Sequence, residues 1–191
     1  MDLMEKVKGF LLEPSRTFQY FREDSLTNAL KYYLILYLVY VTLDILVRIF
    51  FGDLINSLMG EYAMISVNAR TEEIIMGSLY DAYYVIPAIF IGGAFLEVGV
   101  YIVGGRMGLN QTIKAILYSS TPSLLFGWVP VLNILAGIWS IILNIVGIRE
   151  FHGISSERAF LAILIPIILL LIIVAIFARA IFLPGIRIPL S

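Results

Sequence analysis

Four polar residues stand in apolar stretches where water would not reach them, and together they could bind, relay or hold a charge: Glu97, Lys114, Tyr118 and Asn144. An ionisable group inside a membrane span is costly, so each is a functional hypothesis until its partner is named. Counted by helix rise, Glu97 lies about 9 Å from the nearer end of its apolar run, and the other three fall in the same third of a bilayer. That depth pairs Glu97 with Lys114, with Tyr118 and Asn144 adding hydrogen bonds. Such a cluster serves either as a substrate or proton site or as glue between helices, where polar contacts are worth about 0.6–2 kcal/mol each.

Two further groups carry charge. Asp44 and Arg48 are four residues apart, hence on one helix face, and form a second intramembrane pair. Arg149, Glu150, His152 and Glu157 crowd one short connection and make a candidate contact loop. A lone histidine in a chain without cysteine is a poor zinc ligand set, so no metal is expected. The hydroxyls of Ser119, Ser120, Thr121 and Ser123 surround Pro122 and suit the backbone carbonyls that a proline frees. No nucleophile elbow, zincin helix or phosphate loop occurs, so neither catalytic residues nor a cofactor are expected.

The elements that must position these residues follow from composition. Of 191 residues 60% are hydrophobic and 14% charged, with a mean hydropathy of +0.95. A soluble domain carries about 25% charge, so lipid must replace water over much of this surface. The net charge of −1 offers no field for nucleic acid. Crossing a bilayer takes roughly 20 apolar residues. The chain therefore reads as an all-α polytopic bundle of five spans, at about 29–51, 82–103, 111–128, 132–148 and 159–182. The third and fourth come from one charge-free run, Ala115–Ile148, too long for a single crossing and broken near Gly127 and Pro130. Ser25, Asn110 and Ser155 are the expected helix caps, and Gly153 is the expected left-handed stop. Gly92, Gly93, Gly99, Gly104 and Gly105 give the second span a stripe for close packing.

Residues 1–28 form a charged amphipathic segment rather than a signal peptide. Leu3, Met4, Val7, Phe10 and Leu11 share a helical face, which predicts a helix lying on the inner leaflet. Residues 29–183 make up the membrane domain and 184–191 a short tail. Lys and Arg divide nine to four between the two sides, which places the N-terminus inside and the C-terminus outside.

Three stretches resemble the Yip domain family of five-span membrane proteins: Leu12–Phe18 (LEPSRTF), Tyr118–Pro122 (YSSTP) and Gly147–Ala159 (GIREFHGISSERA). The family's eukaryotic members are associated with Rab-type GTPases and vesicle traffic. Those members carry a longer cytoplasmic N-terminal region and an Asp-x-Tyr-Gly-Pro-like motif, neither of which is found here. The resemblance is thus to the short prokaryotic members, and it supplies no catalytic residues. It implies a non-enzymatic membrane-organising or adaptor protein in a prokaryotic plasma membrane. Its partners would be the lipid bilayer, a protein on the cytoplasmic face and further copies of itself. The rival is a small transporter or channel subunit using the Glu97 cluster, which would need a water-filled path to that carboxylate.

Overall fold

A computed structural model describes residues 2–59 and 71–182. Among the described residues eight helices follow one another: α1 (Leu3–Leu12), α2 (Pro14–Tyr20), α3 (Leu26–Met59), α4 (Thr71–Ile102), α5 (Leu109–Ser119), α6 (Thr121–Phe126), α7 (Leu132–His152) and α8 (Ser156–Phe182). No strand occurs among the described residues. Four helices, α3, α4, α7 and α8, are long and apolar enough to cross a membrane. The expected end of the last span at Pro184-Gly185 and the tail beyond it lie outside the described residues.

Local chemistry sets the boundaries. Asp2 and Glu5 close a reciprocal capping box at the start of α1, and Pro14 opens α2 at a position where its missing N–H costs nothing. Ser25 Oγ accepts the amide of Asn28 and Ser155 Oγ that of Arg158, so α3 and α8 begin where the sequence placed their caps. Gly153 ends α7 in the left-handed region at φ 66°, with its own amide and that of Ile154 both on the Arg149 carbonyl. Asn110 does not cap α5; Gly108 precedes that helix at φ 88° and no side chain caps it.

The expected third span is two short helices. Pro122 cannot donate to the Tyr118 carbonyl, and Thr121 Oγ1 takes that acceptor at 2.6 Å. Ser119 and Ser120 hydroxyls both return to the Ile116 carbonyl, while Ser123 reaches across to Ser140 on α7 at 2.7 Å. The hydroxyls around Pro122 thus repair and tie backbone. α5 is the central element. Seven of its residues, including Thr112, Lys114 and Tyr118, are buried, and α3, α4 and α7 pack around it.

The largest departure from expectation is α1. The helix is amphipathic as read, but Val7 and Phe10 of its apolar face turn to protein, while Leu3 and Met4 stay exposed. Phe10 is fully buried, stacked on Tyr118 at 4.8 Å and edge-on to Phe18 at 4.9 Å. Phe18 in turn meets Phe151 edge-on at 5.4 Å. Residues 2–24 therefore cap one end of the bundle, where α4 ends and α5 and α8 begin. Of the glycine stripe, Gly93 and Gly99 touch neighbouring helices, Gly93 at Ile113 and Gly99 at Ala162 and Pro166, whereas Gly92 faces open space.

Candidate functional site at the capped end

Glu97 and Lys114 do not pair. Glu97 accepts a short hydrogen bond from Thr112 Oγ1, whereas Lys114 Nζ donates to the carbonyls of Arg22 and Asp24, at 2.7 Å each. The reason is azimuth. Thr112 and Lys114 are two residues apart, about 200° around α5, so the face that meets α4 cannot also present Lys114. Equal depth says nothing about direction. Tyr118 is one turn beyond Lys114 and shares its face; its hydroxyl donates to Asp24 Oδ2 at 2.7 Å. Asn144 joins neither group, and its buried Oδ1 has no hydrogen-bond partner.

Two constellations replace the single cluster. The first is a line across three helices: Glu97 on α4, Thr112 on α5 and His152 on α7, with Thr112 Oγ1 2.9 Å from His152 Nε2. A hydroxyl has one proton. Given to the carboxylate, it obliges Nε2 to donate to the same oxygen and fixes that tautomer. Nδ1 is then a buried acceptor without a partner. His152 accordingly faces the core and offers nothing to an outside partner, a correction to its place in the contact loop.

The second constellation holds the turn before α3. Lys114 binds two of its carbonyls, and Gln111 Nε2 also donates to the Arg22 carbonyl at 3.3 Å. The ammonium lies 5.1 Å from the Phe151 ring centre, a distance at which a cation is attracted to an aromatic face. Asp24 accepts from Tyr118, Asn28 and the Ser25 amide, with Lys6 Nζ 3.8 Å away. Burial alone would raise the Asp24 carboxyl; those donors and the lysine outweigh it and hold it below its ordinary value.

The expected contact loop is partly occupied. Arg149 forms a short ion pair with Glu150 and donates to Ser15 on α2 at 2.6 Å. Gln19 donates to the other Glu150 oxygen at 2.9 Å. Glu157 stays exposed in the first turn of α8. Away from this end, Asp44 and Arg48 pair at 2.8 Å along α3 as their spacing requires.

Sequence reasoning missed Thr112, Asp24 and the Arg22 carbonyl. Thr112 had a signal, since it is the hydroxyl on the face of α5 opposite Lys114. The carbonyls had none.

All three stretches that carried the family resemblance meet here. Phe18, from the first, lies against Gly147, from the third, closely enough that an added Cβ would stand 2.9 Å from its ring. Ser15 and Arg149 join the same two stretches, and Tyr118, from the second, lies 6.5 Å from Phe151. The family model of the Yip1 domain matches residues 8–177. The chain belongs to the Yip1 domain family. It is an integral membrane protein of a family generally linked to membrane traffic. No match is found among curated proteins or among solved structures. The Yip1 domain here begins inside α1 and ends inside α8, so it takes in most of the capping segment as well as the long helices.

A double-mutant cycle separates the two constellations. Glu97→Ala with Lys114→Met should be additive to within about 0.5 kcal/mol, because the groups share no partner. Glu97→Ala with Thr112→Val should show a coupling of about 0.5–3 kcal/mol. Thermal unfolding in detergent measures both, and coupling in the first cycle would restore the Glu97–Lys114 pair.

Proposed function

We propose that this protein is a non-enzymatic membrane-organising or adaptor protein that works through its capped end, held on the cytoplasmic side. In this reading the chain crosses five times, α5 and α6 together making the third crossing, with the N-terminus inside and the C-terminus outside. The compartment in this reading is a prokaryotic plasma membrane. The observation that carries the reading is the convergence of the three family stretches at one end, where they pack into a platform. Its outward side keeps Lys8, Arg16, Arg106, Glu157 and Arg158 exposed.

Lys114 and Glu97 beneath it are both engaged within the protein. Lys114 spends its donors on backbone carbonyls, and Glu97 is tied to Thr112. That weighs against transport through the cluster and supports a surface role.

Single-cysteine labelling tests the sidedness cleanly, because the chain has no cysteine of its own. In intact cells an impermeant thiol reagent should label a cysteine at Ser191 and spare one at Ser156 until the membrane is opened. The reverse pattern would invert the topology, and labelling of both in intact cells would break the span count.

A further inference from the structure

We propose that one zwitterionic phospholipid docks across α1, with its headgroup between α1 and α2 and one acyl chain in an apolar groove beside α6 and α7. Two concave surfaces of opposite character adjoin on successive residues of α1. The cleft between α1 and α2, ≈ 610 Å³, is lined by Glu5, Lys8, Glu13 and Arg16, with Leu12 and Tyr20 at its wall. The groove, ≈ 420 Å³, is lined by Leu11, Pro122, Phe126, Leu135, Ala136 and Trp139. Leu12 turns to the cleft and Leu11 to the groove, so a ligand that is polar at one end and hydrocarbon at the other bridges both.

The height of α1 favours lipid over a soluble ligand. Phe10 stacks on Tyr118, which is nine residues into α5, about 14 Å along that helix from Leu109. From the capped end α1 thereby packs against α6, and its Leu11 shares the groove with Leu135 and Trp139 of α7. Leu12 and Tyr20, 77% and 70% exposed, are poor residues to leave against water and good ones to lay against glycerol and acyl carbons.

The charge balance selects the headgroup. Two cations and two anions line the cleft. Arg16 pairs with Glu13 at 3.1 Å, and a guanidinium so engaged keeps further N–H donors for a phosphate, as the carboxylate keeps lone pairs for an ammonium. An anionic lipid would satisfy the cations but leave Glu5 and Glu13 facing like charge. A phosphate with a primary ammonium, as in phosphatidylethanolamine, answers both signs.

This inference deepens the proposed function by naming what the α1–α2 face holds, and it rests on that reading only for the side of the membrane. Native mass spectrometry of the delipidated full chain tests it, with dioleoyl phosphatidylethanolamine and dioleoyl phosphatidylglycerol titrated in turn. One phosphatidylethanolamine should be retained at about tenfold lower lipid concentration, equivalent to about 1.4 kcal/mol. Glu13→Lys should reverse that preference, and Leu135→Trp, which fills the groove, should weaken retention of both lipids. Both positions are exposed, so the fold survives the changes. Equal retention of the two lipids, or no effect from either variant, overturns the inference and leaves the sidedness labelling as it was. Reversed labelling would overturn the proposed function and leave the retained lipid in place.

Discussion

Phe10→Ala should destabilise the protein by about 3–5 kcal/mol, the usual cost of emptying a fully buried phenylalanine site. For a chain of this size that lowers the melting temperature by roughly 6–20 °C. The ring is enclosed by Phe18, Phe21, Tyr32 and Tyr118, with centroid distances from 4.8 to 5.9 Å. None of those neighbours can move into the void without breaking its own contact. Leu12→Ala, two residues on and largely exposed, should change stability by less than about 0.5 kcal/mol. Thermal unfolding in detergent distinguishes the two. Were Phe10→Ala as mild as Leu12→Ala, α1 would be a surface helix after all.

Gly99→Ala should be the most damaging single-methyl change. An added Cβ would run into the Ala162 carbonyl oxygen and stand 2.8 Å from Pro166 Cδ, so α4 and α8 could no longer touch. Overpacking by one methyl costs typically 1–3 kcal/mol. The upper end applies here, because the obstacle is backbone and a proline ring rather than a flexible chain. Gly92→Ala, seven residues earlier on the same helix, meets nothing and should stabilise by about 0.5–1 kcal/mol through reduced backbone freedom. Opposite signs at the two positions are the expected result. Equal small effects would mean that α4 and α8 do not approach this closely.

The two predictions mark where the sequence was legible. Membrane class, the caps at Ser25 and Ser155, the stop at Gly153 and the Asp44–Arg48 pair were readable, because each depends on residue type and short spacing. The hydroxyls around Pro122 were readable because a proline announces which carbonyl it orphans. The stripe of glycines was half readable, since spacing along α4 shows that small residues cluster but not which of them meets a neighbour.

The capped end was not legible, for three physical reasons. Amphipathicity marks an apolar face without saying whether lipid or protein covers it, and so Val7 and Phe10 were assigned to the leaflet. Depth matching ignores rotation about the helix axis, which separated Lys114 from Glu97. The true partners of Lys114 are carbonyls, which every residue carries and no letter distinguishes.

The order of synthesis gives the carbonyl clamp a further consequence. Lys114 is made 92 residues after Arg22, and Glu150 131 residues after Gln19. At 5–20 residues per second, the first of those gaps lasts roughly 5–20 s. Through that interval α1 and α2 are already made, while α5 is incomplete and α7 does not yet exist. Phe10 and Phe18 have no protein to bury them, and the nearest apolar phase is the membrane into which α3 is being inserted. The leaflet-bound helix that the amphipathic pattern describes is thus the form suited to the nascent chain, a waiting state that ends when the last of its partners is translated.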